Sequence, residues 1–126
     1  MMYKIKLLLL FPIFLSFFSC YNQECNCKLY KTGKFQFIQE IDGIKKITIF
    51  ERKENLQIET FEGKTDTAEV RWVNDCEFVL QKLHPTNMQE QKAIAMRILS
   101  TTQNSYNFEY SFVGSEKKVK GTARKL

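Results

Sequence analysis

From residue 34 onward the chain alternates polar and apolar positions with a period of two, segment after segment. Lys34–Gln39 sets Phe35 and Phe37 on one face, Lys46–Glu51 groups Ile47 with Ile49, and Asn55–Thr60 groups Leu56 with Ile58. Thr67–Val73 alternates Ala68, Val70 and Trp72 against Glu69 and Arg71, and Glu77–Lys82 sets Phe78 and Leu80 against Glu77 and Gln81. In Tyr106–Phe112 the row Tyr106, Phe108, Tyr110, Phe112 opposes Asn107, Glu109 and Ser111; in Lys118–Arg124, Val119, Gly121 and Ala123 oppose Lys120, Thr122 and Arg124. Successive side chains of a strand point to opposite sides, so alternation of this length marks strands with one buried face. Glu90–Leu99 has helix-forming residues at its start, yet Ile94, Met96 and Ile98 alternate and strands flank it, so it is read as a strand.

Turn residues separate the segments: Asp42–Gly43, Lys53–Asn55, Glu62–Lys64, Asn74–Asp75, Pro85–Asn87, Asn104–Ser105 and Gly114–Ser115. The pattern predicts an all-β fold of eight short sequential antiparallel strands, which close naturally into an up-and-down barrel with no open edge. Trp72, ending the fourth strand on the interior face, is expected to stopper the closed end.

The start of the chain follows a different rule. Lys4 and Lys6 precede the apolar run Leu7–Leu15, and Ser19 precedes Cys20. A basic segment, a short apolar segment and a small residue at the cleavage position form a secretory signal. The run is shorter than the roughly 20 residues a spanning helix needs, and Pro12 interrupts it. Ser19–Cys20 resembles the lipobox of bacterial lipoproteins, with Phe17 where the usual box has Leu or Val. That resemblance implies cleavage before Cys20, its acylation, and attachment to a lipid bilayer at the cell envelope as an outer-membrane lipoprotein. The expected organisation is a signal peptide over 1–19, a lipid-attached polar tether over 20–29 and a barrel over 30–126.

The formal charge of +5 falls to +3 when Lys4 and Lys6 leave with the signal, too mild to argue for a nucleic-acid partner. The one basic cluster (Lys117, Lys118, Lys120, Arg124 and Lys125) reads as a solvated strand face, with contact to anionic headgroups or glycans as the alternative. Cys25, Cys27 and Cys76 remain after Cys20 is set aside. In an eight-stranded meander the N-terminus and the loop between strands four and five lie at the same end. Cys27 and Cys76 therefore meet as a disulfide without adjustment of the topology; Cys25, two residues upstream, reaches the same place and is the alternative partner. Three cysteines and the distant His84 lack the paired spacing of a structural zinc site, and no metal or cofactor is expected.

The whole mature chain is similar to small uncharacterised bacterial envelope lipoproteins with a lipocalin-like β-barrel. The resemblance is carried by Cys27-Lys28-Leu29-Tyr30-Lys31-Thr32-Gly33-Lys34-Phe35, Trp72-Val73-Asn74-Asp75-Cys76-Glu77-Phe78 and Gly121-Thr122-Ala123-Arg124-Lys125. Gly33-Lys34-Phe35 is also similar to the lipocalin Gly-x-Trp opening, with Phe in place of Trp. The resemblance implies a fold and no activity.

An enzyme is not expected. His84 is the only histidine and precedes Pro85 in a loop, and no nucleophile–base–orienter set accompanies it. Carboxylate pairs such as Glu59 with Glu62 or Asp75 with Glu77 are what short strands and loops supply by chance, and no phosphate-binding glycine loop occurs. Two function classes remain. The first expectation is a structural or protein-binding module that meets an unknown protein through the loops Asp42–Ile44, Glu62–Asp66, His84–Glu90 and Val113–Lys117. The alternative is a barrel holding a small apolar ligand among Phe35, Phe37, Trp72, Phe78, Tyr106, Phe108, Tyr110 and Phe112. A cavity of roughly a few hundred Å³ favours the second class and a filled interior the first.

Overall fold

A computed structural model describes residues 25–126. The signal segment 1–19, Cys20 and the tether up to residue 24 lie outside the described residues. Eight antiparallel strands close into a barrel in sequence order: β1 Gly33–Ile41, β2 Ile44–Arg52, β3 Leu56–Phe61, β4 Lys64–Trp72, β5 Glu77–Lys82, β6 Ile94–Thr101, β7 Ser105–Phe112 and β8 Val119–Lys125. Closure comes from β8 pairing with β1, with Phe37 opposite Ala123. The predicted meander is the observed fold.

Two hairpins set the register. Asp42 and Gly43 between β1 and β2, and Glu62 and Gly63 between β3 and β4, all take positive φ. A two-residue loop with both central residues in that region matches the right-handed twist of the strands it joins. The first hairpin aligns Phe35 with Phe50 and Gly33 with Arg52. With Phe35 and Phe50 turned inward, the period of two also turns Thr48 and Arg52 inward and leaves Ile47 and Ile49 outside. In β3, Gln57 and Glu59 face the interior while Leu56 and Ile58 occupy the opposite row. Thus the more apolar row of β2 and β3 is the outer one, opposite to what alternation alone implies.

Three other segments depart from the sequence reading. Glu90–Leu99 does not form a single strand: Glu90, Gln91 and Lys92 belong to a turn, and β6 starts at Ile94. The turn is fixed by Asn87, whose Oδ1 accepts from the Glu90 N–H, and by Lys92 N–H donating to Gln89 O. The tether expected to run to residue 29 gives way at Cys27 to a 3-10 helix, Cys27–Tyr30, with Cys27 and Tyr30 buried. Trp72 does end β4 on the inner row, but it is only half-buried, packed against Phe78 with the rings tilted by 44° and their centroids 4.5 Å apart. It is one side of the floor rather than its stopper.

The floor itself is made by the five largest fully buried side chains: Tyr30, Phe35, Arg52, Phe78 and Tyr106. Cys27 and Cys76 form a disulfide beneath it, with Cα atoms 5.2 Å apart. Cys25 is a free, exposed thiol that donates to Leu99 O at 3.2 Å. Above the floor, Gly121 on β8 lets Phe37 and Phe108 meet edge to face at 5.2 Å.

Candidate functional site

The lower half of the barrel is solid and organised by one cation. Arg52 is 1% exposed, a burial that costs free energy unless its donors are satisfied. Its Nε donates to Gln57 Oε1 at 3.0 Å, Nη1 to Tyr30 O at 2.7 Å and Nη2 to Tyr106 Oη at 2.8 Å. The guanidinium also lies 4.4 Å from the Phe78 ring centroid and within 6 Å of the Phe35, Phe50, Trp72 and Tyr106 rings. Ring faces are electron-rich, so this cage offsets part of the lost hydration. Burial pushes the Tyr106 phenol above its ordinary pKa, with Arg52 pulling the other way. Gln57 extends the network: its Nε2 donates to Glu59 Oε1 at 2.6 Å. Arg52 and Glu59 are therefore joined through a single amide.

The upper half is open. Three adjoining compartments occupy it, of about 190, 250 and 420 Å³. The deepest is walled by Phe37, Phe50, Met96, Phe108 and Tyr110, with Arg52 and Gln57 below. The next reaches Ala68, Leu80, Ile94 and Phe112, and the outermost opens between Phe61, Lys64, Asp66 and Glu90. Glu59 lines all three. Taken together they fall in the size class of small-molecule sites, roughly 300–1,000 Å³. The walls differ in character: β5, β6 and β7 contribute aliphatic and aromatic side chains with Lys82 at the rim, whereas β2, β3 and β4 mix Thr48, Gln57, Glu59 and Asp66 with Phe50, Phe61 and Ala68.

An ion-pair cluster braces the mouth. Lys82 Nζ contacts Asp66 Oδ2 at 2.9 Å and Glu90 Oε1 at 3.1 Å. Burial draws the lysine pKa down, but the hydrogen bonds to the two carboxylates outweigh it and hold Lys82 above its ordinary value. Glu90 Oε2 accepts from both the hydroxyl and the N–H of Thr86, and these bonds, with Lys82, hold the Glu90 carboxyl down to about 2. The β5–β6 loop is thereby tied to the barrel wall beside the cavity.

Of the eight residues expected to line a ligand site, Phe37, Tyr106, Phe108, Tyr110 and Phe112 border the compartments. Phe35, Trp72 and Phe78 border none of the three. They sit below the cavity, packed around Arg52, because the guanidinium recruits their ring faces. The polar wall was not foreseen from sequence. Its signal was present in the alternation of Gln57, Glu59 and Phe61 along β3. The disulfide joins Cys27 and Cys76 rather than Cys25 and Cys76. Glu77 pairs with Arg97 at 3.4 Å on the outer surface, and among the described residues no group of metal-ligating side chains is assembled. Comparison with family models, curated proteins and solved structures finds no match to this chain.

Proposed function

We propose that this protein is an envelope lipoprotein whose barrel binds a small, largely apolar ligand in the upper half of its interior. The observation that carries the reading is the division of the barrel: a filled, cross-linked floor beneath an open cavity bordered by Phe37, Phe108, Tyr110 and Phe112. A barrel built only for strength or for contacts through its loops gains nothing from leaving that volume unfilled, since each void forgoes packing energy. The membrane tether at Cys20 rests on the sequence of residues 4–20. Incorporation of labelled fatty acid, lost in Cys20→Ala, supports it; equal labelling of both proteins contradicts it.

Binding is tested with the neutral fluorophore N-phenylnaphthylamine, which brightens on leaving water. Saturable enhancement is expected, weakened at least about tenfold in Ala68→Phe, which fills the middle compartment. Absence of saturable binding, or undiminished binding in a folded Ala68→Phe protein, overturns the reading.

A further inference from the structure

We propose that the cavity selects ligands bearing a protonated amine, which docks on Glu59 while the apolar body lies along Leu80, Ile94 and Tyr110; this rests on the ligand-binding reading above. Four carboxylates border the space, and Glu62 at the rim pairs with Lys46. Asp66 and Glu90 both engage Lys82, at 2.9 and 3.1 Å. Glu59 has no ion-pair partner among the described residues, and its hydrogen bond there is the one Gln57 Nε2 donates to Oε1. The second oxygen, Oε2, is left to the cavity, and Glu59 is the residue that all three compartments share.

The deep cation does not reverse this preference. Arg52 is 1% exposed, and all three of its nitrogens already donate within the floor. An anionic head approaching it from the mouth passes Glu59, a like charge, before it meets a guanidinium enclosed by rings. Past the rim lysines Lys64, Lys82 and Lys92, a cationic head meets the Glu59 carboxylate, and an ammonium brings three donors to a wall that offers acceptors at Glu59 and Thr48. Aromatic faces along the opposite wall also favour a cation over an anion. The fitting chemistry is an amine on a compact hydrocarbon body, with its charged end at mid-barrel rather than in solvent.

Displacement of N-phenylnaphthylamine from the full chain by decylamine, decanol and decanoate at neutral pH tests the assignment, because the three probes share a tail and differ in head charge. Decylamine is expected to displace the fluorophore at concentrations about tenfold below decanol, and decanoate to be the weakest of the three. In Glu59→Gln the decylamine advantage shrinks to within about twofold of decanol. Decanoate matching decylamine, decanol matching decylamine, or an unaltered amine preference in a folded Glu59→Gln protein each overturns the inference and leaves the binding reading standing. Failure of the fluorophore itself to bind removes both. The ranking of the three heads in the unaltered protein decides the matter even if the variant misfolds.

Discussion

Replacing Arg52 with methionine tests whether the floor depends on the cation or only on its bulk. Methionine keeps an unbranched chain of similar reach and removes the charge. Three acceptors then lose their donor: Gln57 Oε1, Tyr30 O and Tyr106 Oη, held at 3.0, 2.7 and 2.8 Å in the native protein. An orphaned buried polar group costs about 1–3 kcal/mol, while removing a buried charge recovers several kcal/mol of desolvation. With three orphans set against one charge, the net loss is about 2–4 kcal/mol, a large share of the roughly 5–15 kcal/mol that holds a typical domain. Tyr106→Phe deletes one acceptor and leaves Arg52 short of a partner, at a cost of about 2 kcal/mol. The double variant has no Tyr106 hydroxyl to orphan. Its loss should therefore fall short of the two single losses together by about 1.5–3 kcal/mol, the worth of one hydrogen bond to a charged group. Equilibrium urea unfolding of the oxidised protein gives all three values, with unchanged m confirming a common denatured state. An Arg52→Met protein as stable as the native one, or strictly additive losses, refutes the keystone role.

Other regions offer independent checks. The Cys27–Cys76 bridge spans 49 positions, so its removal by Cys76→Ser should lower stability by about 4 kcal/mol on the chain-entropy account, read from the same urea curves; a loss below about 1 kcal/mol contradicts that. A Cβ at Gly121 would lie 2.6 Å from Phe37 Cε2 and 2.8 Å from Phe108 Cζ, so Gly121→Ala should cost about 1–3 kcal/mol and disturb the ring pair, whereas a neutral result refutes the close approach. Because the folded Glu90 pKa is depressed from 4.5 to about 2, its contribution is full above pH 4.5 and is lost as the pH falls toward 2. A carboxyl titration by NMR should show the low midpoint, moving up in Thr86→Val; an ordinary midpoint in the native protein removes the loop tie.

Alternation exposed the strands because seven of the eight keep their period from turn to turn, and the Asp42–Gly43 and Glu62–Gly63 turns fixed where rows reverse. Topology made a disulfide to Cys76 legible, since a meander brings the residues before strand one beside the loop after strand four, but it left Cys25 open as the partner in place of Cys27. The floor was not legible. Arg52 lies one residue past the alternating stretch Lys46–Glu51 and so passes for a turn charge; β2 runs on to include it, and two residues beyond Phe50 it falls on the same inward row. For the same reason Ile47 and Ile49 read as core although they face solvent. A barrel interior that mixes Arg52, Gln57 and Glu59 with aromatics defeats any rule that equates apolar with inside. Tyr30 escaped because its burial depends on the chain folding back under the barrel, through its hydroxyl to Thr102 O at 2.6 Å. The cavity was legible only as a choice between two outcomes, and the molecule divides them: filled below, open above.

Methyl chemical shifts during a titration with decylamine test the central claim most directly. The account predicts saturable shifts at Leu80, Ile94 and Met96, whose side chains border the cavity, and none at Ile38, Ile47 and Ile49 on the outer face. Shifts confined to the outer isoleucines, or no saturable shift at the three interior methyl groups, would contradict it.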